Sequence, residues 1–88
     1  MTYLIPHTSE WFKALEALNP EQAAITKQLI DLAGRKDVCS GCGDFPTRDY
    51  KVVRVSFRPG VDATIRLCED CRQIRSAMQG ESFEPLKA

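Results

Sequence analysis

Four cysteines, arranged as two Cys-x-x-Cys pairs, are the residues whose type and spacing best suit a chemical role in this chain. The first pair is Cys39 and Cys42, and the second pair is Cys68 and Cys71. A two-residue spacer lets one tight turn present two sulfurs to the same ion, and Zn²⁺ takes four thiolates at about 2.3 Å. The spacing therefore predicts one structural Zn²⁺ with all four cysteines as ligands.

Other uses of the cysteines remain open: a redox or disulfide-forming pair, an iron site, or unligated buried thiols. A thioredoxin-like redox pair needs a βαβ setting, and no such pattern surrounds either pair. Rubredoxin-like iron sites carry a glycine-bearing knuckle at each pair, whereas here Gly43 follows Cys42 but Arg72 follows Cys71. This asymmetry favours zinc over iron.

The same asymmetry predicts two different local structures. Gly43 suits the positive φ of a knuckle turn, because glycine adopts that conformation without a steric penalty. The second pair instead runs into an amphipathic stretch, and Glu69 and Asp70 lie where the first turn of a helix favours carboxylates. We therefore expect a knuckle at the first pair and a helix start at the second.

The residues before the knuckle predict a helical hairpin over 8–34. A hydroxyl of Thr8 or Ser9 can cap the first helix, and Asn19-Pro20 is a signal that ends one helix and begins the next. The first helix has apolar residues at helical spacing, namely Trp11, Phe12, Leu15 and Leu18. The apolar face of the second helix is expected to consist of Ile25, Leu29, Leu32 and Ala33.

After the knuckle, the apolar period changes from helical to alternating. Residues 50–57 and 63–67 predict two strands of a hairpin, joined by a turn at Pro59-Gly60. Val53, Val55 and Phe57 should share one face of the first strand, with Tyr50 and Val52 on the other. A final helix begins near Glu69, with an expected apolar face of Ile74, Ala77 and Met78.

These patterns predict an α+β fold in a single domain spanning 1–88. The helical hairpin at 8–34 precedes a zinc-stabilised module at 38–80, and the tail at 81–88 is expected to be loosely held. A chain of this size buries only roughly 60–65% of the surface that its unfolded form exposes, so a metal staple would contribute substantially to stability.

A knuckle, a β-hairpin and a helix whose first turn carries the last two cysteines resemble the treble-clef zinc finger. Residues 38–79 are most similar to the four-cysteine zinc-binding domain found at the N-terminus of ClpX chaperones. The resemblance implies metal ligation by the four cysteines, and in that family the domain recruits adaptors and substrates and dimerises. This chain has a longer loop between the two pairs and a helical hairpin in front.

The residue types give little indication of catalysis, and we expect that the chain is not an enzyme. Four cysteines close the coordination shell, whereas a catalytic zinc keeps an open position. Nucleases built on treble clefs need histidines in the hairpin and the helix, and the single histidine, His7, lies outside that segment. We interpret His7 as an exposed residue that precedes the first helix.

The predicted function is a protein-interaction or adaptor module, whose partner is another protein or a second copy of the chain. The formal net charge of 0 favours no polyanionic partner. The apolar residues expected to be available on the surface are Tyr3, Leu4, Ile5, Tyr50 and Phe83.

The alternative function is nucleic-acid binding through Arg54 and Arg66, extended by Arg72 and Arg75. Between residues 35 and 75, nine basic residues stand against six acidic residues. A solvated sheet face, with ion pairs to Asp49, Asp62 and Glu69, explains the same residues more simply.

The N-terminal residues have no basic segment followed by a long apolar run, and no stretch approaches the ~18 apolar residues of a membrane span. We therefore expect a cytoplasmic protein without a membrane partner, in a compartment where paired cysteines more often bind metal than form disulfides.

Overall fold

The structure, a computed structural model, describes residues 2–86. Its elements are β1 (Thr2–Tyr3), α1 (Ser9–Leu18), α2 (Pro20–Ala33), β2 (Arg48–Arg58), β3 (Val61–Leu67), α3 (Glu69–Gln79) and β4 (Phe83–Pro85). The strands form one sheet in the order β1-β3-β2-β4, in which β1 is parallel to β3 and the other neighbours are antiparallel. The predicted α+β class is confirmed. None of the helices within 2–86 has the length and apolar character needed to cross a membrane.

The boundaries of the helical hairpin follow the predicted capping residues. The hydroxyl of Thr8 accepts a hydrogen bond from the amide of Trp11, and Asn19 Oδ1 accepts one from the amide of Gln22 at 3.2 Å. These side chains satisfy amides that would otherwise lack partners at the start of each helix. Gly34 ends α2 with φ 70°, a conformation that favours glycine.

The predicted apolar face of α2 is wrong at Ile25, Leu32 and Ala33, which are exposed. The buried residues of α2 are Ala23 and Thr26, whereas Ile25 and Leu32 are exposed. Ala23 packs in one cluster with Trp11 and Leu15 of α1, because a small side chain allows the two helices to approach closely. Hydrophobic spacing alone favoured the larger residues, of which Ile25 and Leu32 are exposed and Leu29 is half-buried beside Gly43.

The core consists of two apolar clusters. One joins the sheet to the metal-binding half and contains Tyr50, Val52, Ala63, Ile65 and Leu67 together with Cys39 and Cys68. The other lies within the helical hairpin. Phe57 packs against both clusters. The indole Nε1 of Trp11 also donates to the carbonyl of Thr64 at 2.8 Å, so a hydrogen bond joins α1 to β3.

A β-bulge changes the predicted faces of β2. The pairing register shifts between Lys51 and Ser56, and Arg54 has φ 68°. The bulge reverses the alternation of side chains, so Phe57 packs against the cluster that contains Tyr50 and Val52. Tyr50 itself is 3% exposed, so it is a core residue rather than part of an exposed apolar surface.

The tail also differs from the expectation, because residues 83–85 form β4 against β2. The amide of Leu86 donates to the carbonyl of Asp49 at 2.9 Å, and the rings of Phe83 and Tyr50 lie 6.0 Å apart in an edge-to-face arrangement. This aromatic pair and the added strand hold the segment on the sheet. Residues 87–88 of the predicted loose tail lie outside the described residues.

Candidate metal centre

The structure brings the four cysteines together. The Sγ atoms of Cys39, Cys42, Cys68 and Cys71 all lie within 4.8 Å of one another. Sγ of Cys42 and Sγ of Cys68 are 3.6 Å apart. A tetrahedral ion with bonds of about 2.3 Å would separate its sulfurs by about 3.8 Å. The four residues are thus positioned to bind one metal ion.

The first pair lies on a tight turn that is held by its own backbone. The amide of Gly43 donates to the carbonyl of Cys39 at 3.0 Å, and the amide of Cys39 donates to the carbonyl of Asp44 at 2.8 Å. Gly43 has φ 80°, as predicted for the knuckle. The amide of Gly41 is 3.3 Å from Sγ of Cys39, where it donates a hydrogen bond to the sulfur.

The second pair lies at the start of α3, as predicted. Cys68 is the N-cap residue, and the amide of Arg72 donates to its carbonyl at 3.0 Å. The positive end of the helix dipole therefore lies beside the sulfurs. Four thiolates around a divalent cation leave a net negative charge, which this end of the helix helps to offset.

The cation beside the site is Arg75. The guanidinium of Arg72, which could offset the sulfur charge, pairs with Glu69 instead. A side chain at Gly41 would place its Cβ 3.3 Å from Sγ of Cys71 and 3.8 Å from Nη2 of Arg75. Arg75 therefore lies next to the knuckle and contributes positive charge there.

The cysteines differ in acidity. Burial raises the pKa of Cys39, but hydrogen bonds from nearby amides outweigh this effect, so its pKa lies below the usual value. Burial raises the pKa of Cys42 to about 11, and burial followed by neighbouring sulfurs raises the pKa of Cys71. Sulfurs this close oppose one another's ionisation, and a divalent cation between them removes that opposition. The donor set therefore fits Zn²⁺.

Ser40, between the two cysteines of the first pair, connects the knuckle to its surroundings. Its amide donates to the carbonyl of Arg66 at 2.8 Å, and its carbonyl accepts from Nε2 of Gln22 at 2.9 Å. Its hydroxyl lies 2.9 Å from Nε2 of His7. A serine inside a Cys-x-x-Cys motif gives no sequence signal for these contacts, since all three partners are distant in the chain.

The interpretation of His7 as exposed is wrong, because its side chain is 3% exposed. Nδ1 lies 2.6 Å from the carbonyl of Lys36, which can only accept, so Nδ1 carries a proton. In the neutral ring, Nε2 then accepts from Ser40. Burial lowers the pKa of His7 and favours this neutral form. No periodic pattern includes His7, so sequence spacing gave no indication of its burial.

Gln22 links α2 to both halves of the metal site. Besides its bond to Ser40, its Oε1 accepts from Nη2 of Arg75 at 2.7 Å. The helical hairpin, the knuckle and α3 are therefore joined by one polar chain. These hydrogen bonds hold the knuckle and α3 in position, although neither Gln22 nor Arg75 is a metal ligand.

Most of the arginines proposed for nucleic-acid contact are bonded to other side chains and do not form one continuous basic surface. Arg66 pairs with Asp49 at 2.6 Å, and Arg72 pairs with Glu69. Both are ion pairs that the solvated-face interpretation expects. Arg75 is bonded to Gln22, whereas Arg54 is exposed in the bulge. Arg66 of β3 pairs in the sheet with Asp49 of β2, and Asp49 is five residues from Arg54 along β2. Arg54 and Arg66 are therefore not neighbours across the two strands.

The fold and the site define a small α+β protein with a cluster of four cysteines positioned to bind one metal ion. A comparison with protein-family models finds no match, and comparisons with curated proteins and with solved structures find none either. The function is therefore inferred from the geometry.

Proposed function

We propose that this chain is a non-catalytic zinc-binding protein, in which one structural Zn²⁺ fixes a protein-interaction or adaptor module. The observation that carries this proposal is the grouping of four Sγ atoms within 4.8 Å. Four thiolates complete a tetrahedral shell and leave no position at which the metal could activate water or substrate.

The order of the elements supports a treble-clef arrangement. A glycine-bearing knuckle at Cys39 and Cys42 is followed by the hairpin of β2 and β3, and Cys68 then caps α3. In this arrangement, the metal joins the knuckle to the helix. The fold around it is held by a small core, so the ion contributes much of the stability of the module.

Exposed apolar side chains support the interaction role. Leu32 of α2 and Met78 of α3 are 85% and 81% exposed, and Ile25 and Ile74 on the same helices are also exposed. Both helices border the knuckle, through Leu29 beside Gly43 and through Arg75 beside Gly41. A contiguous exposed apolar surface often marks a site that binds another protein, and these four side chains are the residues that we assign to such a surface.

Native mass spectrometry of the purified chain tests the metal assignment. We expect one Zn²⁺ per chain and its loss, together with the fold, after treatment with a strong chelator. A chain that carries two disulfides and no metal, or one that carries iron, would contradict the assignment.

The interaction role is tested with the double variant Leu32→Ser/Met78→Ser and with the control variant Ala17→Ser, at an exposed position of α1. Cross-linking in cells, followed by size-exclusion chromatography with light scattering, should detect a heteromer or a dimer for the unchanged chain. We expect the double variant to lose the complex and Ala17→Ser to keep it. A uniform monomer without a cross-linked partner would contradict this role.

Nucleic-acid binding is the alternative outcome. It predicts an affinity for single-stranded or double-stranded DNA or RNA that falls steeply with salt and is weakened by Arg54→Glu. Titration of labelled oligonucleotides at low salt, with Lys13→Glu as the charge-matched control, distinguishes this outcome from a protein-interaction role.

A further inference from the structure

The sheet leaves one stretch of β2 without a neighbouring strand on its outer side. Strand β4 pairs with residues 50–52, and the amide of Val53 donates to the carbonyl of Ser82 at 2.9 Å. Residues 54–58 extend past the end of β4. Their backbone groups that face away from β3 have no hydrogen-bond partner within 2–86. We call residues 54–58 the open edge.

The other long strand of the sheet, β3, is covered where β1 ends. The carbonyl of Thr64 accepts from Nε1 of Trp11 at 2.8 Å, and the carbonyl of Arg66 accepts from the amide of Ser40 at 2.8 Å. Contacts of this kind are not formed along the open edge. A strand edge with unpaired N–H and C=O groups is a template on which one more strand can pair.

The open edge is accessible and long enough for such pairing. Its side chains are exposed except for Phe57, which is half-buried. At about 3.3 Å per residue, five residues of strand span about 17 Å. Addition of an extended segment to a sheet edge is a recurring way in which proteins bind peptides, because main-chain hydrogen bonds provide affinity.

The two ends of the open edge carry cations without counter-ions. Arg54 and Arg58 are exposed, and neither forms an ion pair with any residue in the range 2–86. Asp62 pairs with Ser56 in the sheet, so it lies on the side of β2 opposite to the open edge. A segment that pairs with this edge therefore meets two unpaired arginines.

These arginines select among the possible occupants. Two copies of the chain that pair antiparallel about Ser56 would place Arg54 of each copy opposite Arg58 of the other. Like charges directly opposite one another destabilise a strand pair, whereas acidic side chains at the same positions stabilise it. Nucleic acid supplies negative charge but no peptide backbone to pair with the strand. The charge and the unpaired backbone together favour an acidic extended peptide.

We propose that the open edge binds an extended segment of a partner protein as an added β-strand, with acidic side chains opposite Arg54 and Arg58. This surface is separate from the exposed apolar side chains of α2 and α3. It is therefore a further interaction surface, beyond the proposed adaptor role of those side chains, and it requires only the folded, zinc-loaded chain.

Two capped peptides of similar length test the added strand, one of alternating glutamate and valine and one of alternating lysine and valine. Each is titrated into the isotope-labelled, zinc-loaded full chain and followed by nuclear magnetic resonance. We expect the glutamate peptide to shift the amide signals of residues 54–58 and to slow their hydrogen exchange, because pairing protects amides that otherwise face solvent. The lysine peptide should bind about tenfold more weakly, since like-charge pairs replace favourable ones.

The double variant Arg54→Glu/Arg58→Glu should reverse the preference between the two peptides. The charge-matched control Lys13→Glu/Lys36→Glu, at exposed positions of α1 and of the loop after α2, should keep it. Equal binding of both peptides by the unchanged chain, or binding of the glutamate peptide without slower exchange at residues 54–58, would overturn the proposal.

Two further outcomes would replace the peptide by another occupant. Protection of the same amides in a dimer, without peptide, would overturn the proposal in favour of a second copy. Tighter binding of a labelled oligonucleotide than of the glutamate peptide at residues 54–58 would overturn it in favour of nucleic acid. A zinc-loaded chain that binds neither peptide refutes the added strand and leaves the role of Leu32 and Met78 untouched.

Discussion

Nε2 of His7 lies 2.9 Å from Oγ of Ser40, which stands between the two knuckle cysteines. This contact joins the segment before α1 to a turn 33 residues later. Gln22 of α2 reaches the carbonyl of the same serine. The helical hairpin and the metal site are therefore connected by buried polar contacts, and we expect the two halves to unfold together.

The variant His7→Ala should destabilise the zinc-loaded protein by about 2–4 kcal/mol, because it leaves a cavity and removes the hydrogen-bond partner of a buried hydroxyl. Chemical denaturation followed by tryptophan fluorescence measures this loss, since Trp11 packs edge-on against the His7 ring at 5.1 Å. The exposed neighbour variant Ser9→Ala is the control and should change stability little. A loss below about 0.5 kcal/mol for His7→Ala, the usual size of surface effects, would show that the contact is not stabilising.

Stability should also depend on pH through His7. Burial lowers its pKa below the ordinary value of 6.5, so the unfolded chain takes up a proton at a higher pH than the folded chain. Well above pH 6.5, the contribution of His7 to stability is therefore complete and does not vary with pH. This contribution is lost as the pH falls through 6.5 toward the lower pKa of the folded state. Stability stops changing with pH only below the folded pKa, where His7 is protonated in both the folded and the unfolded chain.

Protons also compete with Zn²⁺ for the cysteine sulfurs as the pH falls. The effect of His7 is therefore obtained as the difference in unfolding free energy between the unchanged chain and a variant that lacks the histidine. Denaturation curves of the unchanged chain and of His7→Gln, measured between about pH 5 and 8, give this difference. We expect the gap in unfolding free energy between the two proteins to narrow as the pH falls. A gap that stays constant would mean that His7 titrates alike in both states.

Removal of the metal should unfold both halves of the chain. Structural zinc contributes about 10–16 kcal/mol in small finger peptides, which is as large as the whole stability of a typical domain. Cys68→Ser should therefore abolish the dispersed amide signals of α1 and α2 as well as those of the sheet. Ser76→Ala, a change on the exposed side of α3, is the control. Native-like signals from residues 9–33 in Cys68→Ser would show that the hairpin folds alone.

Local signals in the sequence were sufficient for the features that depend on neighbouring residues. Asn19-Pro20 and Gly34 set the boundaries of α2, and the contrast between Gly43 and Arg72 separated the knuckle from the helix start. These predictions succeeded because caps and tight turns are decided within a few residues.

The features that the sequence did not reveal depend on contacts between distant segments. The burial of His7 requires the knuckle to fold over it, and β4 requires the exposed edge of β2. The bulge at Arg54 reverses the strand faces without any glycine to mark it. The spacing of apolar residues within a helix or strand cannot predict such contacts, because it describes one element at a time.

Helix α2 packs on the knuckle through Leu29, which lies beside Gly43. Gly43 has φ 80°, and a Cβ there would lie 3.2 Å from Cδ2 of Leu29. Gly43→Ala therefore incurs both a backbone penalty of about 1–2 kcal/mol and a close contact. Gly60 has φ 82° with nothing within 4 Å, so Gly60→Ala incurs the backbone penalty alone.

The difference between the two glycine variants thus measures the contact with Leu29. We expect Gly43→Ala to be the less stable of the two and to bind Zn²⁺ more weakly in a competition with a chromophoric chelator. Adding Leu29→Ala should remove the clash and reduce the extra loss, as a double-mutant cycle would reveal. Equal stability and equal zinc affinity for Gly43→Ala and Gly60→Ala would show that α2 does not press on the knuckle, and the contacts of His7 and Gln22 would then account for the coupling of the hairpin to the knuckle.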